Sequence, residues 1–157
     1  MQANQLSQEA NKFTKHLNSI EGTRPVVCEH RVAPDAFINI YKNDLPDGSG
    51  VYWFYLPNGN VFYIGETKTD NFAKRIWTHA KTTPKILGAD ALGFPDCEFC
   101  APSRLSEDER EDIRRGQFRI DYLIVSPREL APVFEVYLQG VYFLREGALP
   151  ACNRQFG

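Results

Sequence analysis

The chain has 157 residues, of which 43% are hydrophobic, 13% aromatic and 24% charged, with a net charge of −2 and a pI near 5.9. A single domain of this length buries roughly 68 to 70 per cent of its unfolded surface, and 11 Phe, 7 Tyr and 2 Trp argue for a packed core and against disorder. No run approaches the about 18 consecutive apolar residues of a membrane span, and the start, Met-Gln-Ala-Asn-Gln-Leu-Ser-Gln, has no basic or apolar leader segment, so a cytoplasmic protein is expected.

In chain order, Leu6, Ala10, Phe13, Leu17 and Ile20 recur at spacings of four and three, which predicts an amphipathic helix ended by Gly22. Pro25-Val26-Val27 is strand-like and leads into Cys28-Glu29-His30. Residues 50 to 56 and 61 to 64 are rich in β-branched and aromatic side chains, and Pro57-Asn58-Gly59-Asn60 between them tolerates the positive φ of a tight turn. A hairpin is predicted, with Tyr52 and Tyr63 side by side. Phenols have an ordinary pKa of about 10, and a nearby cation or metal can lower it into a range useful for proton transfer.

Apolar residues at 72, 73, 76, 77 and 80 predict a helix over 71 to 81, capped by Asp70 or Asn71 and followed by Pro84. Arg75 and His79 stand one turn apart on it, a guanidinium that forks onto phosphate oxygens and an imidazole that can serve the same region. Cys97-x-x-Cys100 has metal-ligand spacing; with Cys28 and His30 it makes a candidate structural Zn²⁺ set, the alternative being free thiols in a reducing compartment with Cys152 buried. Ser106 and Glu109 form a capping box opening a helix from Glu107 to Arg115, with Gly116 as its stop. Phe118 to Ser126 alternates around Ile120, Tyr122 and Ile124 and predicts a third strand. Val133 to Leu144 predicts a helix too apolar all round for the surface, with Glu135 its one charge. A buried carboxylate costs several kcal/mol unless it is paired or holds a metal. Mg²⁺ takes one or two carboxylates with water and phosphate oxygens, which makes Glu135 the leading metal ligand.

Taken together these residues resemble the GIY-YIG nuclease family. The resemblance rests on Gly50-Val51-Tyr52, ten intervening residues, Tyr63-Ile64-Gly65, Lys74-Arg75 with His79, Glu135 on a later helix and Asn153 near the end, with Leu45-Pro46 ahead of the first motif. It covers about 45–82 and 118–155, leaving 1–44 as an N-terminal extension and 83–117 as an insertion in a single domain. It implies an α+β fold with a small three-stranded antiparallel sheet flanked by helices, and hydrolysis of DNA phosphodiesters with one Mg²⁺ or Mn²⁺. By the same resemblance Tyr52, helped by Tyr63, activates water, Arg75 neutralises charge at phosphorus, Glu135 holds the metal and Asn153 braces the site. His79 matches a position that is histidine in only some members. Gly65, Lys68, Lys74 and Lys81 would contact substrate.

Each element also has a plainer reading. Strand tyrosines pack across strands, an Arg and His one turn apart form a solvated face, the two glycines permit close backbone approach and Asn153 binds backbone. Net charge gives no global pull toward nucleic acid. Acid is concentrated at Glu107, Asp108, Glu109, Glu111 and Asp112, however, and the remainder is net basic, with Lys68, Lys74, Arg75, Lys81 and Lys85 able to line one surface. Glu66, directly after the second motif, would repel phosphate unless paired with Lys68 or Arg75. DNA is the expected partner and RNA the second; a protein partner or a second copy stays open, and no membrane is expected. A non-catalytic nucleic-acid-binding module, or a toxin-like nuclease under a partner's control, is the alternative.

Overall fold

The computed structural model describes residues 1–33, 35–40, 44–69, 72–80, 104–153 and 155–157, with the backbone alone at 78–80. An antiparallel sheet runs in the order β1-β4-β2-β3, formed by β1 (Val27–Val32), β2 (Gly50–Tyr55), β3 (Val61–Thr67) and β4 (Arg119–Ser126). The helices are α1 (Ala3–Asn18), α2 (Phe72–Ala80), α3 (Glu107–Arg114) and α4 (Ala131–Glu146), with short 3₁₀ turns at Phe37–Asn39 and Arg128–Leu130.

The α+β class stands, but the sheet has four strands and not the expected three. The fourth comes from the N-terminal extension: Val27 pairs with Ser126 and Val32 with Asp121 along the free side of β4. Alternation does not betray this strand, because Val27 and Val32 are both exposed on the edge of the sheet.

Side-chain alternation along the central strands divides the apolar residues between two cores. Tyr52, Phe54, Ile120 and Tyr122 face one side, where Phe72 and Ile76 of α2 and Ile113 of α3 pack. Val51, Trp53, Leu123 and Val125 face the other, against Leu6 and Ala10 of α1 and Phe134, Leu138 and Tyr142 of α4. The hairpin forms as the turn chemistry dictates. Gly59 takes φ +87°, Asn58 Oδ1 accepts from the Asn60 N–H at 2.9 Å, and Leu56 C=O accepts from the Gly59 N–H at 2.8 Å.

Two helices differ from expectation. α1 stops at Asn18, short of Gly22, because the Asn18 amide turns back to clamp Val26: Nδ2 donates to its C=O at 2.9 Å and Oδ1 accepts from its N–H at 2.7 Å. Gly22, at φ +75°, belongs to the turn that follows. α4 is buried on one side only, leaving Val133, Val136, Phe143 and Leu144 exposed. α3 starts with the expected capping box, Ser106 Oγ accepting from the Glu109 N–H at 3.2 Å and Glu109 Oε2 from the Ser106 N–H at 2.8 Å. Among the described residues no helix is long and apolar enough to cross a membrane.

Candidate functional site

Antiparallel pairing sets Tyr52 opposite Gly65 and Phe54 opposite Tyr63. Gly65 therefore lies beneath both phenols. A Cβ there would stand 2.9 Å from each hydroxyl oxygen and 2.6 Å from Cε1 of Tyr63, so the absence of a side chain is what lets the two hydroxyls converge. Gly50 serves a different end: a Cβ on it would strike the backbone carbonyl of Leu123, so glycine permits the close approach of β2 to β4.

β3 would be an open edge but for the C-terminal segment. The Cys152 N–H donates to Phe62 C=O at 2.8 Å. The Asn153 amide then acts as a substitute strand, with Oδ1 accepting from the Ile64 N–H at 2.9 Å and Nδ2 donating to Ile64 C=O at 2.7 Å. The same carbonyl accepts from Gln139 Nε2 at 3.3 Å, and that nitrogen also donates to Glu135 Oε1 at 3.2 Å. Gln139 is fully buried one turn after Glu135, and its Oε1 accepts from the Gly157 N–H at 2.8 Å, which fixes the orientation of the amide. A single carbonyl of β3 thus positions both the C-terminal asparagine and, through Gln139, the Glu135 carboxylate.

Glu135 is 8% exposed. Burial pushes its pKa up, the neighbouring Glu66 carboxylate adds to the rise, and the cations Arg75 and Lys68 oppose it; the result is about 7. The phenols move in the direction opposite to expectation. Burial drives Tyr52 well above the ordinary value, and burial with the Glu135 charge raises Tyr63 to about 12, while Arg75 pulls both down without prevailing. Desolvation outweighs one exposed guanidinium. The two hydroxyls also interact with each other.

Tyr52 and Tyr63 thus meet over Gly65, Asn153 and, through Gln139, Glu135 meet β3 at Ile64, and the charges of Arg75 and Lys68 act on this group. Arg75 and Lys74 are exposed on α2. His79 lies on α2 with its side chain outside the described residues, as are Lys81 and Lys85 and the proposed caps Asp70 and Asn71. Two further groups join the site. Gln139 gave no signal beyond a buried amide one turn from the acid. Glu66 was legible only as a charge beside the motif; its Oε2 is buried with no hydrogen-bond partner among the described residues, so neither Lys68 nor Arg75 caps that oxygen.

Two adjacent carboxylates, one with an orphaned buried oxygen and one with a raised pKa, form a donor set suited to a hard divalent cation, which completes its shell with water and phosphate oxygens. They fall short of the four-ligand cage of structural zinc, and no group of three or more His, Cys, Asp or Glu side chains fit to hold a metal occurs among the described residues. Of the candidate zinc set, Cys97 and Cys100 lie outside the described residues. His30 Nε2 is 3.3 Å from Ser7 Oγ and 3.6 Å from Asp121 Oδ2, and burial pushes the Cys28 thiol up. Comparison of the chain with protein-family models found no matching family, and comparison with curated proteins and with solved structures found no match either.

Proposed function

We propose that the chain is a divalent-metal-dependent endonuclease of GIY-YIG type that hydrolyses DNA phosphodiester bonds at the β3 edge. The observation that carries this reading is the convergence of two phenol hydroxyls over Gly65 within electrostatic reach of Arg75 and Glu135. Phosphodiester hydrolysis is limited by attack on an anion, so catalysis lies mainly in charge stabilisation and positioning.

Arg75 is exposed and permanently charged, which suits it to take two phosphate oxygens and to offset the charge that builds on them in the transition state. Lys68 and Lys74 add positive charge on the approach. Glu135, with Glu66 beside it, would hold the cation, and Gln139 steadies the Glu135 carboxylate by donating to its Oε1. When bound there, a divalent cation supplies Lewis-acid polarisation of the phosphate and a field that favours deprotonation of the groups facing it. The phenols keep their protons at neutral pH without that field. The Tyr52 and Tyr63 hydroxyls hold the attacking water by hydrogen bonds, and the phenolate form of either would take its proton and return to the neutral phenol. Asn153 locks Ile64, and with it the strand that carries Tyr63 and Gly65.

Incubation of plasmid DNA with the protein and Mg²⁺, beside Arg75→Ala and Glu135→Ala, tests the reading. Nicking or cutting by the wild type and its loss in both variants is expected. Equal cleavage by all three would reject the site, and no cleavage of DNA by the wild type would favour an RNA substrate or the non-catalytic binding module.

A further inference from the structure

A largely apolar cavity with a few polar groups in its wall lies across the sheet from the phenols. It measures about 480 Å³ and is walled by Gln2, Asn4 and Ser7 at the start of α1, His30 of β1, Tyr55 of β2 and Asp121 of β4. Asp121 is 4% exposed, and its Oδ1 is buried with no hydrogen-bond partner among the described residues. A buried carboxylate with one uncompensated oxygen is costly, and such groups are ordinarily capped by a donor or a cation.

The neighbouring histidine does not supply that cap. Its Nε2 is 3.3 Å from Ser7 Oγ and 3.6 Å from Asp121 Oδ2, so both contacts converge on one ring nitrogen. Ser7 Oγ already donates to Ala3 C=O at 3.1 Å, which leaves it as acceptor for the Nε2 proton and Asp121 beyond hydrogen-bond distance. A Ser-His-Asp relay needs the acid and the hydroxyl on opposite ring nitrogens, so this trio is not a hydrolytic triad. The His30 ring is instead held by stacking on Trp53, 5.7 Å away at 12°. Tyr55 is held protonated by burial, by the Asp121 charge and by a hydrogen-bonding interaction with that carboxylate, which does not reach Oδ1.

From the orphaned Asp121 oxygen in a cavity of this volume, we infer that the pocket binds a small organic cation with N–H donors, an amine or a guanidinium, seated on Asp121. The volume falls in the range of small-molecule sites and exceeds what a bare metal ion fills. The cavity offers the ligand acceptor oxygens from Asp121 and Ser7, and the Tyr55 hydroxyl can accept a second N–H. Since the pocket faces away from Tyr52 and Tyr63, its occupancy is independent of any nuclease activity.

The test is a titration of isotopically labelled full-length protein with agmatine and with putrescine, followed through the His30 ring and Trp53 indole resonances, with tetramethylammonium as a cation that lacks N–H donors. Saturable shifts with agmatine or putrescine, absent with tetramethylammonium and weakened about tenfold or more in Asp121→Asn, are expected. Tyr55→Phe, which removes one hydroxyl, should weaken binding less. No saturable shift in the folded wild type with either donor cation would overturn the inference, as would equal response to tetramethylammonium. Unchanged binding in a folded Asp121→Asn would overturn it too.

Discussion

Replacing Glu135 by Gln should change the pH dependence of stability in a defined window. In the folded chain this acid ionises at about 7, against an ordinary value of 4.5. Between those values the unfolded chain has already released the proton that the folded chain retains, so it binds fewer protons and stability falls as pH rises. The loss begins near pH 4.5 and is complete above about pH 7. At about 1.36 kcal/mol for each pH unit of displacement the full cost is about 3 kcal/mol, and water at the mouth of the site reduces it to about 2. Glutamine keeps the shape and can still accept the hydrogen bond that Gln139 Nε2 donates at 3.2 Å, but it carries no charge. Urea unfolding of both proteins from pH 4 to 9 is the assay, since the contributions of other groups cancel in the difference. The two should be about equally stable near pH 4, with Glu135→Gln ahead by about 2 kcal/mol at pH 8. Added Mg²⁺ should close the gap by stabilising the wild type alone. Parallel curves across the range would refute the assignment of a buried carboxylate with a raised pKa.

Other expectations follow from individual contacts. Gly65→Ala places a methyl group 2.6 Å from the Tyr63 ring and 2.9 Å from both hydroxyl oxygens. It should cost about 1 to 3 kcal/mol in urea unfolding and separate the phenols, visible as altered tyrosine fluorescence. Asn153→Ala removes both bonds to Ile64 and should cost about 2 kcal/mol, whereas Asn153→Asp, which turns an acceptor toward Ile64 C=O, should cost more. Ser106→Ala breaks the capping box of α3 and should cost about 1 kcal/mol in thermal unfolding without affecting Glu135.

The parts of the fold that were legible are those whose local pattern agrees with their final surroundings. The aromatic runs on either side of Asn58-Gly59 could only be a hairpin, and Phe118 to Ser126 reads as a strand because its β-branched and aromatic residues line a β4 that is buried on both faces. β1 was signalled only by the strand-like Pro25-Val26-Val27 and was not counted in the sheet, because Val27 and Val32 are exposed on an edge and its partner lies some ninety positions further on, where no local period reaches. The exposed side of α4 escaped for a related reason: Val133, Val136, Phe143 and Leu144 look like core residues, and composition does not tell which apolar side finds a neighbour. At the candidate site, the order of Tyr52, Tyr63, Arg75, Glu135 and Asn153 was readable as a motif. The direction of the phenol pKa shifts was not, since it depends on how deeply the sheet buries Tyr52 and Tyr63. Gln139 was missed because its task, joining Glu135 to the Ile64 carbonyl, exists only once β3 and α4 are packed together.

The most direct measurement of the central claim is single-turnover cleavage of an end-labelled DNA duplex with Mg²⁺ by the wild type, Arg75→Ala, Tyr63→Phe and Glu135→Gln. The account predicts cleavage by the wild type, none without the metal, and a fall of about a hundredfold or more in each variant. Undiminished cleavage by Arg75→Ala and Glu135→Gln would contradict it.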